Sequence, residues 1–176
     1  MKAPITVNPI PGFDPRIGLY LAQLEDVRER TKRYVDGLTQ AQLEWHPNPK
    51  VESIGTMLIH VAAVELSWIQ EDIRREPMGE EWRIGFPIRF GIPQISGESL
   101  AYFIGLLDST RAVTRDVLAG VTDADLSRAL VPLDDEDTPD APQFTIEWIL
   151  YHLIEHEAHH KGQIAVMKRL LPDTSL

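Results

Sequence analysis

Four of the six histidines lie in one short segment near the end of the chain, HLIEHEAHHKGQ, residues 152–163. Three of them, His152, His156 and His160, recur every four residues. On an α-helix each such step turns by about 40° and rises by about 6 Å, so the three side chains share one face. Two imidazoles at this spacing can bind one metal ion, but a third, about 12 Å from the first, cannot join them. The segment therefore offers one chelating pair, either 152/156 or 156/160.

A metal site between helices needs a further ligand, and His60 is the candidate. It lies among apolar residues of a predicted helix and so faces the core. Alone, such a histidine is more often a hydrogen-bonded core residue, but opposite a chelating pair it becomes the expected third ligand. Three neutral imidazoles leave the ion its charge and at least one open position, which is typical of catalytic sites. His46 is predicted to lie in a surface loop, and His159 to face outward or to lie beside the site.

Two other metal chemistries are suggested by the same segment. His156 to His160 spell H-E-x-x-H, the pattern of zinc proteases, but no histidine or glutamate follows to supply the third ligand. Glu157 and His160 spell E-x-x-H, the element of di-iron bundles. That site requires a second E-x-x-H, and Met57 stands where the glutamate before His60 would be. Neither chemistry is favoured.

The composition excludes several further classes of protein. There is no cysteine, and therefore no disulfide, thiolate nucleophile or thiolate-ligated metal. A net charge of −10 argues against binding to nucleic acid. No apolar run is long enough to span a membrane, and the N-terminus lacks the pattern of a signal peptide. We therefore expect a cytoplasmic protein with neither nucleic acid nor membrane as a partner.

Apolar residues at helical spacing predict four helices that would position these histidines. Ser53, Ser96 and Thr145 are the expected N-cap residues of the second, third and fourth helices, and the first begins at Arg16. The predicted ranges are 16–38, 53–75, 96–120 and 145–171. Four helices without a convincing set of strands predict an all-α fold, an antiparallel four-helix bundle, in a single domain of residues 1–176.

The remaining segments are predicted to be less regular. Residues 1–15 contain four prolines and read as an extended arm, and residues 77–96 and 121–142 read as long loops. Thr39 and Gln42 form a capping-box pattern for a short helical turn. Residues 129–146 could also hold a short extended pair.

The loop 77–96 is a candidate for the wall of a substrate site. It carries Trp82, Arg83 and Arg89, and the arginines could receive a carboxylate of a thiol or a substrate. The alternative is that the aromatic residues of the loop cap one end of the core and that the arginines are solvated.

Two stretches of the chain resemble the DinB-like (DinB/YfiT) superfamily. Residues 37–65, GLTQAQLEWHPNPKVESIGTMLIHVAAVE, are similar to its Leu-x-Trp-x-Pro … Ser-Ile-Gly … His segment. Residues 146–164, IEWILYHLIEHEAHHKGQI, are similar to its His-x3-His-x3-His-(Arg/Lys)-Gly-Gln signature, with Lys161 where arginine is commoner. With the helices between them, the likeness spans nearly the whole chain.

The resemblance implies a four-helix bundle, often a homodimer, that holds one divalent metal ion, zinc or nickel among others, through three histidines. In this sequence those ligands are His60, His156 and His160. The resemblance thus selects the 156/160 pair. His152, Glu157 and Gln163 are then expected to lie next to the ligands or to replace one of them. The superfamily is named after induction by DNA damage, which implies no DNA binding.

Characterised relatives transfer or isomerise small molecules with low-molecular-weight thiols such as mycothiol, bacillithiol or glutathione. The resemblance therefore implies a metal-dependent S-transferase in detoxification or stress response, in which the metal holds the thiol as a thiolate. The lack of cysteine is compatible with this hypothesis. A non-catalytic metal-binding module of the stress response is the alternative, and a metal-dependent hydrolase is a third. The acid and base residues of any reaction are not assigned.

Overall fold

The structure, a computed structural model, describes residues 4–172. Its α-helices are α1 (Pro15–Val35), α2 (Gln40–Glu44), α3 (Ile54–Leu66), α4 (Pro87–Phe90), α5 (Leu100–Leu118) and α6 (Ile146–Leu170). A π-helix, Ser67–Ile73, continues α3, and short 3-10 segments span Glu80–Gly85, Asp123–Ser127 and Leu133–Asp135. Strands β1 (Ala129–Leu130) and β2 (Phe144–Thr145) pair antiparallel, so the short extended pair suggested by the sequence is present. The segments predicted as long loops contain several of these short elements.

Side-chain caps determine where the helices begin. The predicted N-cap residues that accept a backbone N–H from their own helix are Thr39, Ser53 and Thr145. The third long helix begins later than predicted, because Ser99 rather than Ser96 accepts the N–H of Tyr102. Gly97 lies between them with a φ of +88°, a left-handed conformation that does not continue into a helix.

The four long helices form a bundle, and the predicted all-α fold is confirmed. α1 packs against α5 and α6, and α3 packs against the same two helices. Within residues 4–172, no helix has the length and hydropathy needed to cross a bilayer.

Side-chain contacts give the direction of each helix. Between α1 and α6 the contacting pairs are Arg16–Glu147 and Arg28–Glu157. Between α6 and α3 with its π-helical continuation they are His60–His160 and Trp68–Trp148. Between α1 and α5 they are Glu25–Arg115 and Lys32–Asp108. The long helices therefore run up, down, down and up. As predicted from the sequence, α1 runs antiparallel to α5, and α3 runs antiparallel to α6. By contrast, α3 and α5 are parallel, because the connection 74–99 is long enough to return the chain to the end where α3 began.

A charged layer crosses the middle of the bundle and receives one residue from each long helix. Its members are Arg28 of α1, Glu65 of α3, Arg111 of α5 and Glu157 of α6, each at most 4% exposed. Along α1, α5 and α6 the charged residue falls between the members of two apolar clusters, and on α3 Glu65 lies one residue beyond the change from one cluster to the other at Val64. The core is thus two apolar halves separated by two arginines and two glutamates.

Hydrogen bonds within the charged layer compensate the buried charges. Arg28 Nε donates to Glu157 Oε1 at 2.9 Å, Arg111 Nε donates to Glu65 Oε1 at 2.7 Å, and Arg28 also pairs with Glu65. Burial raises the pKa of the Glu65 carboxyl, but the charges of Arg28 and Arg111 outweigh burial and hold this pKa at about 2. Glu65 is therefore ionised at neutral pH, and each glutamate contacts both arginines.

We expect Glu65→Gln to lower the free energy of unfolding by about 3–5 kcal/mol at pH 7, because it leaves the two arginines with one carboxylate. Urea unfolding followed by circular dichroism measures the change. Because the folded-state pKa lies below that of the unfolded chain, the difference between the proteins should persist at pH 5 and shrink as the pH falls toward 2.

The matched control is Glu29→Gln, which removes an exposed carboxylate that pairs with Arg33 on the surface of α1. Its unfolding midpoint should stay at the wild-type value. Equal losses in the two variants would contradict a special role for the charged layer.

Candidate metal centre and adjoining cleft

Three histidine nitrogens from two helices converge at one point. The Nε2 atom of His156 on α6 lies 3.3 Å from Nε2 of His60 on α3 and 3.2 Å from Nε2 of His160 on α6. The ligand atoms of the three residues all lie within 4.8 Å of one another. A tetrahedral ion with nitrogen ligands at 2.0–2.1 Å keeps them roughly 3.3 Å apart. The donor set and its spacing therefore fit one divalent metal ion.

The orientation of His60 is fixed by the carbonyl of Gly85. His60 Nδ1 lies 2.8 Å from this oxygen, and because a carbonyl can only accept, Nδ1 carries the proton. The lone pair of Nε2 is then free, as in metal-binding histidines whose other nitrogen donates to a carbonyl. The close approach needs glycine, since a Cβ at position 85 would lie 2.4 Å from Cβ of Ala63. Close packing of the 3-10 segment against α3 thus places the carbonyl that orients His60.

Burial keeps the other two histidines neutral. It lowers the pKa of His156 to about 3, and the neighbouring His160 and His60 act in the same direction. Burial also lowers the pKa of His160 to about 4, with His60 adding to the effect and Gln163 opposing it. Both rings are therefore in the form that binds metal at neutral pH.

The residues predicted to lie near the ligands have different surroundings. His152 stacks on Trp148 with ring centroids 4.9 Å apart, and its ring centroid is 5.6 Å from that of His156. Gln163 is exposed beside His160. Glu157 instead lies in the charged layer, bound to Arg28, and so turns away from the three histidine nitrogens. His159 is exposed and His46 half-buried in a loop, where its ring contacts the carbonyl of Asn48.

A cleft of about 520 Å³ adjoins the three histidines. Phe86 lines it and packs edge-on against His60, with ring centroids 5.6 Å apart. Trp68 also lines it and packs edge-on against His152 at the same distance. The histidines themselves do not line the cleft, so these rings form the boundary between the two.

Aromatic and charged side chains dominate the lining of the cleft. The aromatic residues are Trp68, Phe86, Phe90 and Phe144; the carboxylates are Glu71, Asp72, Glu80, Asp134 and Asp135; and the cations are Arg83 and Arg89. Two of the three residues predicted to form a substrate wall, Arg83 and Arg89, therefore line the cleft. Trp82 packs against the apolar core instead.

The π-helix supplies one wall of the cleft. Its wider turn carries Trp68, Glu71 and Asp72 to the same side, all of which line the cleft. The helix ends before Arg75, a non-glycine residue with a φ of +66°, whose guanidinium donates to the carbonyl of Val131 at 2.8 Å. Arg75, whose backbone is strained, thus connects the π-helix to the segment at Val131 on the opposite wall of the cleft.

Asp72 is the buried acid of this wall, at 5% exposure. Burial raises its pKa to about 6, while the backbone N–H of Leu133, which donates to Oδ1 at 2.7 Å, acts against that rise. Glu71 and Asp134 raise the pKa further and Arg75 lowers it. Ionised Asp72 is thus costly to the fold, a property found at functional sites.

The sequence alone places Trp68 on an apolar face and does not single out Asp72 or Phe144. The sequence signal for Asp72 is an acidic residue directly before the apolar Ile73, and this does not distinguish it from any other polar residue near the end of a helix. The π-helical register decides which side chains face the cleft, and periodicity read at 3.6 residues per turn does not reveal that register.

Comparison with known proteins identifies relatives of the chain. The family model described as the DinB superfamily matches residues 23–164. A solved structure of a conserved protein from Enterococcus faecalis is 18% identical, with a TM-score of 0.62, covering 86% of this chain and 94% of that one. A DinB-like protein from Bacillus cereus is 20% identical, with a TM-score of 0.62, covering 86% of this chain and 90% of that one. At these identities the two structures show a shared fold alone, and no curated protein matches the chain.

We expect the purified protein to bind one divalent ion per chain, because imidazole nitrogens of His60, His156 and His160 converge at one point. His60→Ala, His156→Ala and His160→Ala should each abolish stoichiometric binding of Zn²⁺, Ni²⁺ or Co²⁺, measured by equilibrium dialysis and elemental analysis. His159→Ala is the matched control on the exposed face of α6 and should bind as the wild type does. Unchanged metal content in all three ligand variants would exclude this centre.

We expect Asp72→Asn to stabilise the protein at pH 8, because asparagine can accept the same N–H without a buried charge. The full shift to about 6 corresponds to roughly 3 kcal/mol, but solvent in the cleft screens the carboxylate, and we expect about 1 kcal/mol. The raised folded-state pKa means that the wild type loses stability as the pH rises through 4 to 6. The advantage of the variant in thermal unfolding should therefore vanish near pH 4; an advantage equal at both values would argue against a charge effect.

Proposed function

The chain belongs to the DinB superfamily, and on that basis we propose that it is a metal-dependent S-transferase that uses a low-molecular-weight thiol in detoxification or stress response. The observation that carries the proposal is the convergence of three imidazole nitrogens beside a cleft large enough for a small organic molecule. Because the chain has no cysteine, the reacting sulfur has to come from a bound thiol such as mycothiol, bacillithiol or glutathione.

The chemistry that a divalent ion supplies at such a centre is to lower the pKa of a bound thiol, so that the nucleophilic thiolate forms at neutral pH. In the proposed reaction the sulfur forms a bond to an electrophilic carbon. The leaving group departs with the electrons of the broken bond, and the thiol proton passes to solvent.

The side chains around the centre favour this reaction by position. The Gly85 carbonyl orients His60, and burial keeps His156 and His160 neutral, so the ligands add no negative charge that would offset that of the ion. Phe86 and Trp68 line the cleft and also pack against His60 and His152, so the cleft lies next to the histidines. The cleft then provides room for the electrophile.

Glu157 argues against the hydrolase hypothesis. In a zinc protease the glutamate of H-E-x-x-H serves as the general base. Here its carboxylate is bound by Arg28 in the core, at 2% exposure, and cannot reach a water at the histidines.

The alternative, a non-catalytic metal-binding module, is favoured by one feature. The three histidines join α3 to α6, so an ion at their centre would also cross-link the bundle. A structural ion and a catalytic ion differ in whether a coordination position stays open for a ligand from solution.

We expect small thiols to change the visible spectrum of the Co²⁺-substituted protein, because an open position allows sulfur to bind. Mycothiol, bacillithiol and glutathione are titrated separately, and their S-methyl derivatives are the matched controls, since they lack an ionisable thiol. His159→Ala should respond as the wild type does, whereas His60→Ala should not respond. No change with any thiol would favour the non-catalytic module.

A further inference from the structure

The charges that line the cleft are unbalanced toward the negative. Five carboxylates face two arginines, and both arginines are already paired: Arg83 with Glu80 at 2.8 Å, and Arg89 with Asp134 at 3.2 Å. Among the described residues, the other three carboxylates, Glu71, Asp72 and Asp135, form no ion pair. The cleft therefore has an excess of negative charge, which hydrogen bonds from Ser67 and Met78 to Glu71 and from Leu133 to Asp72 offset only in part.

Glu71 and Asp72, which form no ion pair with any described residue, lie beside aromatic rings. Glu71 and Asp72 are on the π-helix that also carries Trp68, and the ring of Trp68 meets Phe144 edge-on, with centroids 5.2 Å apart. Aromatic faces attract organic cations, and the attraction grows where water is excluded. Carboxylates and rings in one concave site are the combination that recognises an ammonium group attached to an apolar body.

The paired arginines argue against an anionic ligand. An incoming carboxylate would compete with Glu80 for Arg83 and with Asp134 for Arg89, and it would approach the negative charges of Glu71 and Asp72. Both guanidinium groups also lie over the ring of Phe90, at 5.2 and 5.5 Å from its centroid, so the cation-binding face of that ring is occupied. In the part of the chain that the structure describes, no arginine or lysine lies over the rings of Trp68, Phe86 or Phe144.

We propose that this cleft binds an organic ammonium ion, a protonated amine or a quaternary ammonium, with its charge at Asp72 and Glu71 and its apolar body against Trp68, Phe86 and Phe144. That this ligand is the electrophile attacked by the thiol rests on the proposed function. Phe86 touches both the cleft and His60, so a bound molecule of this kind lies next to the metal centre.

The test uses three probes of similar size that differ in charge. Benzyltrimethylammonium is the cation, neopentylbenzene is its neutral isostere and phenylmethanesulfonate is an anion of comparable size. Isothermal titration calorimetry at pH 8, where Asp72 is ionised, should show saturable one-to-one binding of the cation. The neutral isostere should bind at least tenfold more weakly, and the anion should not bind.

Two variants locate the site. Asp72→Asn should weaken binding of the cation at least fivefold while the protein stays folded, since this change removes a destabilising charge rather than a packing contact. Phe144→Leu should also weaken it, because the ring is lost and the apolar volume is largely kept. Asp26→Asn, which changes an exposed carboxylate on α1, is the matched control and should bind the cation as the wild type does.

Three results would overturn the proposal. These are equal affinities for the cation and its neutral isostere, unchanged affinity in Asp72→Asn, and displacement of the cation by millimolar Mg²⁺ or Ca²⁺, which would make the carboxylates an inorganic cation site. The thiol titration of the Co²⁺ protein is independent of all three. A thiol response without ammonium binding rejects this inference alone, whereas ammonium binding without a thiol response supports the cleft assignment and rejects the proposed reaction.

Discussion

Four buried charges, one from each long helix, constrain how this bundle can be assembled. A buried guanidinium or carboxylate is strongly unfavourable unless an opposite charge reaches it, so Arg28, Glu65, Arg111 and Glu157 must meet at one level. Sliding any helix by one turn would leave a charge unpaired inside the core. Apolar side chains on either side of the layer tolerate such shifts far better, because their packing is less directional. The charged layer therefore sets the relative height of the helices.

The candidate metal centre depends on the same constraint. Glu157 immediately follows His156, and because the glutamate must point toward Arg28, the rotation of α6 about its axis is set at that level. His156 and His160 are then directed toward α3, where His60 lies on the same helix as Glu65. The nitrogen atoms that could hold an ion are thus positioned by ion pairs that take no part in binding it.

Much of the fold and of the histidine centre could be predicted from the sequence, for identifiable physical reasons. Helical periodicity and N-cap residues such as Ser53 and Thr145 report on local structure, and the spacing of His156 and His160 carries the chelating geometry directly. The choice of 156/160 over 152/156 needed the resemblance to a family, because spacing alone allows both pairs. The parallel course of α3 and α5 was not predictable in this way, since it depends on how a long connection crosses the bundle. The cleft was equally hidden, because it is formed by a π-helical register and by pairing between segments that are distant in sequence.

Gly85 is needed both for the packing of the 3-10 segment and for the orientation of a histidine. Its carbonyl holds His60, and the absence of a side chain allows the 3-10 segment to approach Ala63. In a relative with any side chain at this position, that segment must lie farther from the helix equivalent to α3, by at least the bulk of a methyl group. Phe86 would move with it, and so would the boundary between the histidines and the cleft. We therefore expect the residue at this one position to separate superfamily members that share this cleft from members whose sites have a different shape.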